Sequence, residues 1–197
     1  FDTVRLLVRR PIPKQDVKTE IKLINFEDPE SFQLALEGVD VVFCAVGTTQ
    51  KKVGGDQSAY RKVDFDIPAN AAKYAKATGV QHFSLVSAVG ANAKGSNFYV
   101  RLKGEAEDAV KAARLPSVAV FRPSLLLGER SEQRTGEGIA QKLAPLISPL
   151  LLGSLSKYKP IQAEAVAAAM LREAKRMSLD FHVYHFEEMS NTKPERQ

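Results

Sequence analysis

The alternation of strand-like and helix-like segments is the feature that most constrains how this chain can fold. Short apolar runs that suit buried strands are predicted at 4–8, 21–25, 39–46, 82–86, 118–121 and 181–186. Amphipathic helical stretches separate most of them, at about 28–38, 58–78, 98–113, 139–147 and 163–176, and Pro68 should kink the second. Because such an alternation packs as a parallel sheet with helices on both faces, the sequence predicts a doubly wound α/β fold.

The size and composition of the chain favour one domain. It has 197 residues, 44% of them hydrophobic, and its 10 prolines and 12 glycines are spread along the chain without forming a linker. We therefore predict a single domain over 1–197, with a small substrate lobe from about Ser124. The single cysteine, Cys44, lies in an apolar strand and cannot form an intrachain disulfide, which favours a buried thiol and a reducing, cytoplasmic location.

Charge and hydropathy argue against two classes of partner. The net charge is +5 and the pI about 9.3, but 28 basic residues are interleaved with 23 acidic ones and no nucleic-acid-binding motif is present. No apolar run is long enough to span a membrane. We therefore expect neither nucleic acid nor membrane as a partner, and a small molecule as the ligand.

Three polar residues near the end of the strand at 82–86 suggest catalysis. Ser87 follows that strand, and Tyr99 and Lys103 lie one helical turn apart on the next helix. An ammonium close to a phenol stabilises the phenolate and lowers the pKa of a tyrosine, so that the phenol can exchange a proton with a carbonyl or alcohol. The same spacing also occurs on ordinary helix surfaces, and the order of the neighbouring segments is what favours a site.

These segments resemble a known family. Gly47-Thr48-Thr49, the strand at 82–87, the stretch 96–99 and Lys103-Gly104-Glu105 are similar to the atypical short-chain dehydrogenases/reductases, and most to the oxidoreductase-like Tat-interacting protein group, over about 6–170. The resemblance implies a Rossmann-type fold that binds NAD(P). It also implies that Ser87, Tyr99 and Lys103 are catalytic and that Lys103 contacts the nicotinamide ribose.

Further cofactor contacts are expected where strands end, because ligands of open α/β sheets bind there. Arg9 and Arg10 follow the first strand and suit a 2′-phosphate, which favours NADP while leaving NAD open, although two solvated arginines would look the same. The resemblance implies that Asn25 and Phe26 contact the adenine. It implies that a loop passing along the cofactor is formed by Val46, Gly47, Thr48 and Thr49. It also implies that the nicotinamide pocket is lined by Pro123, Ser124 and Leu125. A turn or a strand stop would also account for these residues.

A central strand is missing from this pattern. A Rossmann sheet places its first strand between those represented here by 4–8 and 39–45, followed by a glycine-rich turn for the pyrophosphate, and the sequence contains neither. We expect about 20 to 30 further residues before Phe1, enough for one strand and one helix.

The predicted function is hydride transfer between NADP(H) and a carbonyl or alcohol. Two alternatives remain: an NADPH-binding sensor that acts through protein partners, and a nucleotide-sugar epimerase, whose substrate domain is usually larger. A metal site at His182 and His185 is not expected, because residues three apart on a strand face opposite sides. The polar run 128–137 is either a solvated loop or a lid.

Overall fold

The computed structural model describes residues 1–13, 16–128 and 151–191. The strands are β1 Val4–Val8, β2 Thr19–Leu23, β3 Val41–Cys44, β4 His82–Val86, β5 Ser117–Phe121, β6 Leu126–Leu127, β7 Ile161–Gln162 and β8 Asp180–Tyr184. The helices are α1 Pro29–Leu34, α2 Gln57–Arg61, α3 Ile67–Ala77, α4 Phe98–Ala112, α5 Ala163–Arg176 and α6 Phe186–Ser190. A π-helical turn covers Lys62–Asp66 and a 3-10 helix covers Gly153–Tyr158. The predicted helix at 139–147 and the run 129–137 lie outside the described residues.

A parallel sheet forms the centre of the molecule. Its strands lie in the order β3-β4-β5-β8, and all of them run in the same direction. Each strand is joined to its neighbour through a connection that contains helix, as parallel pairing requires. The predicted doubly wound fold is confirmed.

Alternation along β5 shows how the two faces of the sheet are covered. Val118 and Val120 belong to a core that includes side chains of α1 and α3. Ala119 and Phe121 belong to a second core, formed with side chains of α5 and α6. Because successive strand residues point to opposite faces, a fully buried strand of this kind requires helices on both sides.

β1 and β2 form a separate parallel pair. Val4 pairs with Thr19 and Val8 with Leu23. Among the described residues, no sheet pairing joins this pair to β3. A further strand between β1 and β3 stays a prediction.

The long helix predicted over 58–78 is interrupted just before Pro68. Proline has no N–H to donate to the carbonyl of Asp64, and its ring crowds that turn. The chain accommodates Pro68 by forming the π-helical turn Lys62–Asp66, in which the hydrogen-bonded loop is one residue longer than in an α-helix, before α3 begins at Ile67. The result is an irregular turn where the sequence predicted a kink.

The C-terminal segment returns to the central sheet. α5 packs on β4 and β5, and β8 forms the edge of the sheet beside β5. β8 ends at Tyr184, two residues earlier than predicted, because the Glu188 side chain accepts a hydrogen bond from the His185 N–H and starts α6. A substrate lobe beginning at Ser124 stays a prediction. Within 1–13, 16–128 and 151–191, no helix is long and apolar enough to cross a membrane.

Candidate active site

One face of α4 carries the side chains around which the site is built. Tyr99, Lys103 and Glu107 follow one another at intervals of four residues, so they lie on successive turns of the same face. The helix begins at Asn97, whose side chain accepts hydrogen bonds from the backbone N–H groups of Tyr99 and Val100 at 2.9 and 3.2 Å. This cap fixes the residue at which the helix face begins.

Lys103 forms a buried ion pair with Asp64. The Lys103 Nζ lies 2.8 Å from the Asp64 Oδ1, and the two side chains are 8% and 2% exposed. The other carboxylate oxygen of Asp64 accepts a hydrogen bond from the backbone N–H of Thr48, also at 2.8 Å. Asp64 therefore connects α4 to the loop that follows β3.

Cys44 is the titratable neighbour of this pair on the sheet side. It is the last residue of β3 and is buried. Burial raises the pKa of its thiol to about 11, with smaller opposing effects of the Lys103 and Asp64 charges. The thiol is therefore neutral at physiological pH, and the charges next to it are those of the ion pair.

Ser87 belongs to a second buried cluster, one turn further along α4. Its hydroxyl donates a short hydrogen bond to the Glu107 carboxylate. Arg122, at the end of β5, binds the same carboxylate, with its Nε 3.0 Å from Oε1. The backbone N–H of Ser87 also donates to the carbonyl of Phe121 at 2.7 Å, which extends the pairing of β4 and β5 by one residue.

Tyr99 stands apart from both clusters. It is 38% exposed, whereas Ser87 and Lys103 are each 6% exposed. In the described part of the chain, no hydrogen bond joins the Tyr99 hydroxyl to Ser87 or to Lys103. Ser87 follows β4, Lys103 is linked through Asp64 to the loop after β3, and Tyr99 is exposed on the first turn of α4, so each of the three predicted catalytic side chains is in a different environment.

The loop after β3 is held in place by contacts from α2 and the π turn. The Thr48 N–H binds Asp64, and its carbonyl accepts a hydrogen bond from the Tyr60 hydroxyl at 3.2 Å. Thr49 Oγ1 accepts a hydrogen bond from the Lys52 N–H. Gly47 is exposed and Val46 half-buried. The predicted cofactor loop is therefore anchored at its centre and open at Gly47.

Gly104 explains why a glycine follows Lys103 in α4. A Cβ at this position would lie 2.1 Å from the backbone N of Ala93 and 2.3 Å from the backbone C of Asn92. Because such distances are far shorter than any real contact, only glycine allows the loop after β4 to lie directly on the helix. Glu105 follows, and its carboxylate binds Arg61 at 2.5 Å.

The residues predicted to contact the adenosine half follow β1 and β2. Arg9 and Arg10 are exposed in the loop after β1. Asn25 is exposed and forms a turn, since its side chain accepts the Glu27 N–H at 3.0 Å. Phe26 packs edge to face on Phe32, with ring centroids 5.1 Å apart.

The predicted nicotinamide pocket segment leads out of β5. Pro123 is buried, and its carbonyl accepts the Val89 N–H at 2.9 Å. The Ser124 hydroxyl donates a short hydrogen bond to the carbonyl of Lys159. The carbonyl of Leu125 accepts the Ile161 N–H at 3.0 Å, just before β6 pairs with β7.

Three residues of the site have no distinctive signal in the sequence. Asp64 and Glu107 lie in segments rich in charge and Arg122 follows an apolar strand, and only their burial and their partners single them out. Periodicity offered one clue, because Glu107 repeats the four-residue spacing of Tyr99 and Lys103. No group of three or more potential metal ligands is found within the described ranges, and the exposed His182 binds the carbonyl of Leu179.

Fold and site together define a class. A parallel doubly wound sheet is the fold of dinucleotide-binding proteins, which bind their ligands outside the carboxyl ends of the strands, and in this chain Asp64 links Lys103 to the loop at Thr48 that follows β3. The sequence profile of the NAD(P)H-binding family matches residues 2–176. The chain belongs to this NAD(P)H-binding, oxidoreductase-like family.

Two curated relatives represent the family. Protein HTATIP2 of Rattus norvegicus is 37% identical over 145 residues, which cover 72% of this chain and 59% of the rat protein. The mitochondrial protein FMP52 of Debaryomyces hansenii is 34% identical over 170 residues, covering 85% of this chain and 74% of that protein. The predicted resemblance to the Tat-interacting group is confirmed. Because the match spans less than two thirds of the rat protein, the activity and partners of a whole relative are proposals for this chain.

Solved structures share the fold. MoeE5 in complex with UDP-glucose and NAD superposes with a TM-score of 0.69 at 14% identity, over 93% of this chain and 67% of that chain. Uronate dehydrogenase from Agrobacterium tumefaciens gives a TM-score of 0.67 at 12% identity, over 92% of this chain and 66% of that one. At such identities the likeness is one of fold.

Proposed function

We propose that this protein is an NADP(H)-dependent oxidoreductase that transfers a hydride between the cofactor and a carbonyl or alcohol. The observation that carries the proposal is the buried ammonium of Lys103, held at the carboxyl edge of the sheet beside the loop at Thr48. Burying an ammonium costs free energy even where a carboxylate pairs with it, and charged groups held in this way are found most often at functional sites. Its position on the same helix face as Tyr99 supplies a proton donor within a turn.

The residues present fit a nicotinamide dinucleotide. An ammonium has three donor protons, and the contact with Asp64 uses one, which leaves donors of Lys103 for ribose hydroxyls. Thr48 and Thr49 add hydroxyl groups on the adjacent loop, and Arg9 and Arg10 offer the planar donors that suit a 2′-phosphate. When bound, the nicotinamide supplies or accepts the hydride.

The chain's own residues would handle the proton. Tyr99 gives its phenolic proton to a developing alkoxide, or takes one from an alcohol in the reverse direction. Its exposure leaves the hydroxyl accessible to a substrate that enters from solvent. Lys103 stabilises the phenolate electrostatically, and Asp64 and Thr48 hold Lys103 and the loop in place.

The test combines cofactor titration with turnover. NADPH fluorescence should saturate on addition of the protein, and a panel of aldehydes and ketones should show NADPH oxidation. Tyr99→Phe should lower turnover by about 10²-fold or more while NADPH affinity changes less than about twofold. The matched control is Tyr158→Phe, another exposed tyrosine, which should leave both unchanged. Turnover equal to wild type in Tyr99→Phe contradicts the assignment.

A second candidate is supported by the state of Ser87. Its hydroxyl proton goes to Glu107, so the described structure lacks the donor that a substrate carbonyl would need from it. This arrangement suits a protein that binds NADPH without turnover and signals through a protein partner. Saturable NADPH binding with no oxidation of any carbonyl tested would favour this sensor over the enzyme.

We propose a cytoplasmic location on the basis of the single buried cysteine. The name of the Debaryomyces hansenii relative places that protein in mitochondria. Cell fractionation separates the two: recovery of this protein with the cytosolic fraction is expected, and recovery with mitochondria would overturn the proposed location.

A further inference from the structure

Asp64 joins two parts of the site that are distant in the sequence. Its carboxylate is 2% exposed and binds two groups from different elements, the Lys103 ammonium and the Thr48 N–H. A buried ion pair is weak evidence for stability, because replacing both partners by apolar residues is often neutral or stabilising. The ion pair is thus better explained by its role in positioning Lys103 and Thr48 than by a contribution to the stability of the fold.

The backbone around Asp64 is also unusual. Asp64 lies in the π-helical turn Lys62–Asp66, between α2 and α3. Such turns are rare and occur frequently at functional sites. Here Pro68 accounts for the irregular turn, and the turn lies where the Asp64 side chain reaches both Lys103 and Thr48.

We propose that Asp64 is the positioning residue of this site, which fixes the Lys103 ammonium relative to the cofactor loop at Thr48 and offsets part of its charge. The inference rests on the proposed function. Two links of 2.8 Å to a single rigid carboxylate leave little freedom between α4 and the loop. The nearby Cys44 thiol is neutral, so the Asp64 carboxylate is the counter-charge closest to Lys103 among the described groups.

The inference makes a signed prediction about pH. Asp64→Asn removes the negative charge, and Lys103 then acts on Tyr99 uncompensated. An uncompensated ammonium favours the phenolate, so the pH–rate profile of carbonyl reduction or alcohol oxidation should move to lower pH, by about one unit. A residue that only supported the fold would change stability and leave the profile where it is.

The experiment compares Asp64→Asn with Asp66→Asn. Asp66 lies two residues away at the end of the same turn and is only partly buried, so its variant removes the same charge from the same segment. NADPH affinity, measured by fluorescence well below the melting temperature, should fall about tenfold in Asp64→Asn and less than about twofold in Asp66→Asn. The shifted pH profile should appear only in Asp64→Asn.

A double variant covers the case in which Asp64→Asn does not fold. Asp64→Leu with Lys103→Met leaves no buried charge unpaired, and it should fold. Since it also lacks the acceptor for Thr48, it should bind NADPH about tenfold more weakly than Asp64→Asn with Lys103→Met, which keeps that acceptor and likewise leaves no buried charge unpaired, and equal affinity would overturn the inference. Wild-type protein that fails to bind NADPH contradicts the proposed function. Wild-type binding with identical behaviour of Asp64→Asn and Asp66→Asn contradicts only the role of Asp64.

Discussion

The Ser87 hydroxyl donates its proton to the buried carboxylate of Glu107, which Arg122 also binds. A hydroxyl has a single proton, so while this contact holds Ser87 can only accept hydrogen bonds from other groups. Ser87, which the sequence predicts to be catalytic, is thus hydrogen-bonded to α4 and has no proton left to donate to a substrate.

Ser87→Ala should therefore act first on stability. Loss of a hydrogen bond to a buried carboxylate should lower the free energy of unfolding by about 1.5 to 3 kcal/mol, with NADPH affinity within about twofold of wild type. Urea unfolding and fluorescence titration measure the two quantities. Ser96→Ala, at an exposed position, should change the free energy of unfolding by less than about 0.5 kcal/mol. An unchanged unfolding midpoint in Ser87→Ala would show that the contact with Glu107 contributes nothing.

Arg9 and Arg10 should set the choice between cofactors. Replacing both by Ala should weaken NADPH binding by about tenfold or more and leave NADH binding nearly unchanged, because only NADPH carries a 2′-phosphate. Lys73→Ala with Lys76→Ala removes the same charge from the exposed face of α3 and serves as the control. Equal losses for both cofactors would show that these arginines do not read the phosphate.

Gly104→Ala should disrupt the contact between α4 and the loop after β4. The added methyl would meet the backbone of Asn92 and Ala93 at 2.1 to 2.3 Å, and backbone cannot move aside as a flexible side chain can. We expect a loss of about 1 to 3 kcal/mol or more in unfolding free energy. Gly47→Ala is the matched control, because its Cβ would lie 3.6 Å from the nearest atom, the Oδ1 of Asp64. A loss in Gly47→Ala as large as that in Gly104→Ala would refute the steric argument.

Stability should fall in mild acid because of His82. Its Nδ1 lies 2.7 Å from Ser117 Oγ and its Nε2 2.9 Å from Ser84 Oγ. Ser117 donates its own proton to the carbonyl of Ser178, so His82 must be the donor to Ser117, and its Nε2 accepts from Ser84. Burial lowers the pKa of His82 below its usual 6.5.

The sign follows from proton binding. Below about pH 6.5 the unfolded histidine binds a proton that the folded one does not, so stability is complete above that pH and is lost as pH falls toward the folded pKa. Melting temperature between pH 8 and 5.5 should show this slope, with a smaller slope in His82→Gln. His185, whose pKa burial also lowers, supplies part of the remainder. The control His182→Gln, at an exposed histidine, should keep the wild-type slope, and a His82→Gln slope equal to wild type would contradict the prediction.

The Cys44 thiol should be unreactive in the folded protein. Burial raises its pKa to about 11, so at pH 8 the thiol is shielded from a reagent and is not ionised. Labelling with a thiol-specific disulfide reagent should be about 10²-fold slower in native buffer than in urea. Rapid labelling of native protein at pH 8 would show that the end of β3 is open to solvent.

Sequence patterns were sufficient to place those strands and helices whose bounds depend only on their own residues. β4 and α5 lie at the predicted residues, because β4 is a short run that follows Gly79 and α5 is a long amphipathic stretch.

The site contacts and one strand end that the sequence did not predict depend on residues distant in the sequence or on a capping side chain. The ion pair of Asp64 with Lys103 joins segments 39 positions apart in sequence, and no local spacing encodes it. The same holds for Glu107, whose partners Ser87 and Arg122 lie at the ends of two strands. The end of β8 was missed because a capping contact of Glu188 outweighed the apolar run that continues through Phe186.

The four-residue spacing of Tyr99, Lys103 and Glu107 on α4 also limits how the length of this chain can vary. One inserted or deleted residue between Tyr99 and Glu107 would turn the following side chains by about 100° around the helix axis. Glu107 would then lose both Ser87 and Arg122, and a change before Gly104 would also turn that residue away from the loop it touches. Length changes among related sequences should therefore collect in the exposed part of the loop before Asn97, and α4 should keep a constant count of residues from Tyr99 to Glu107.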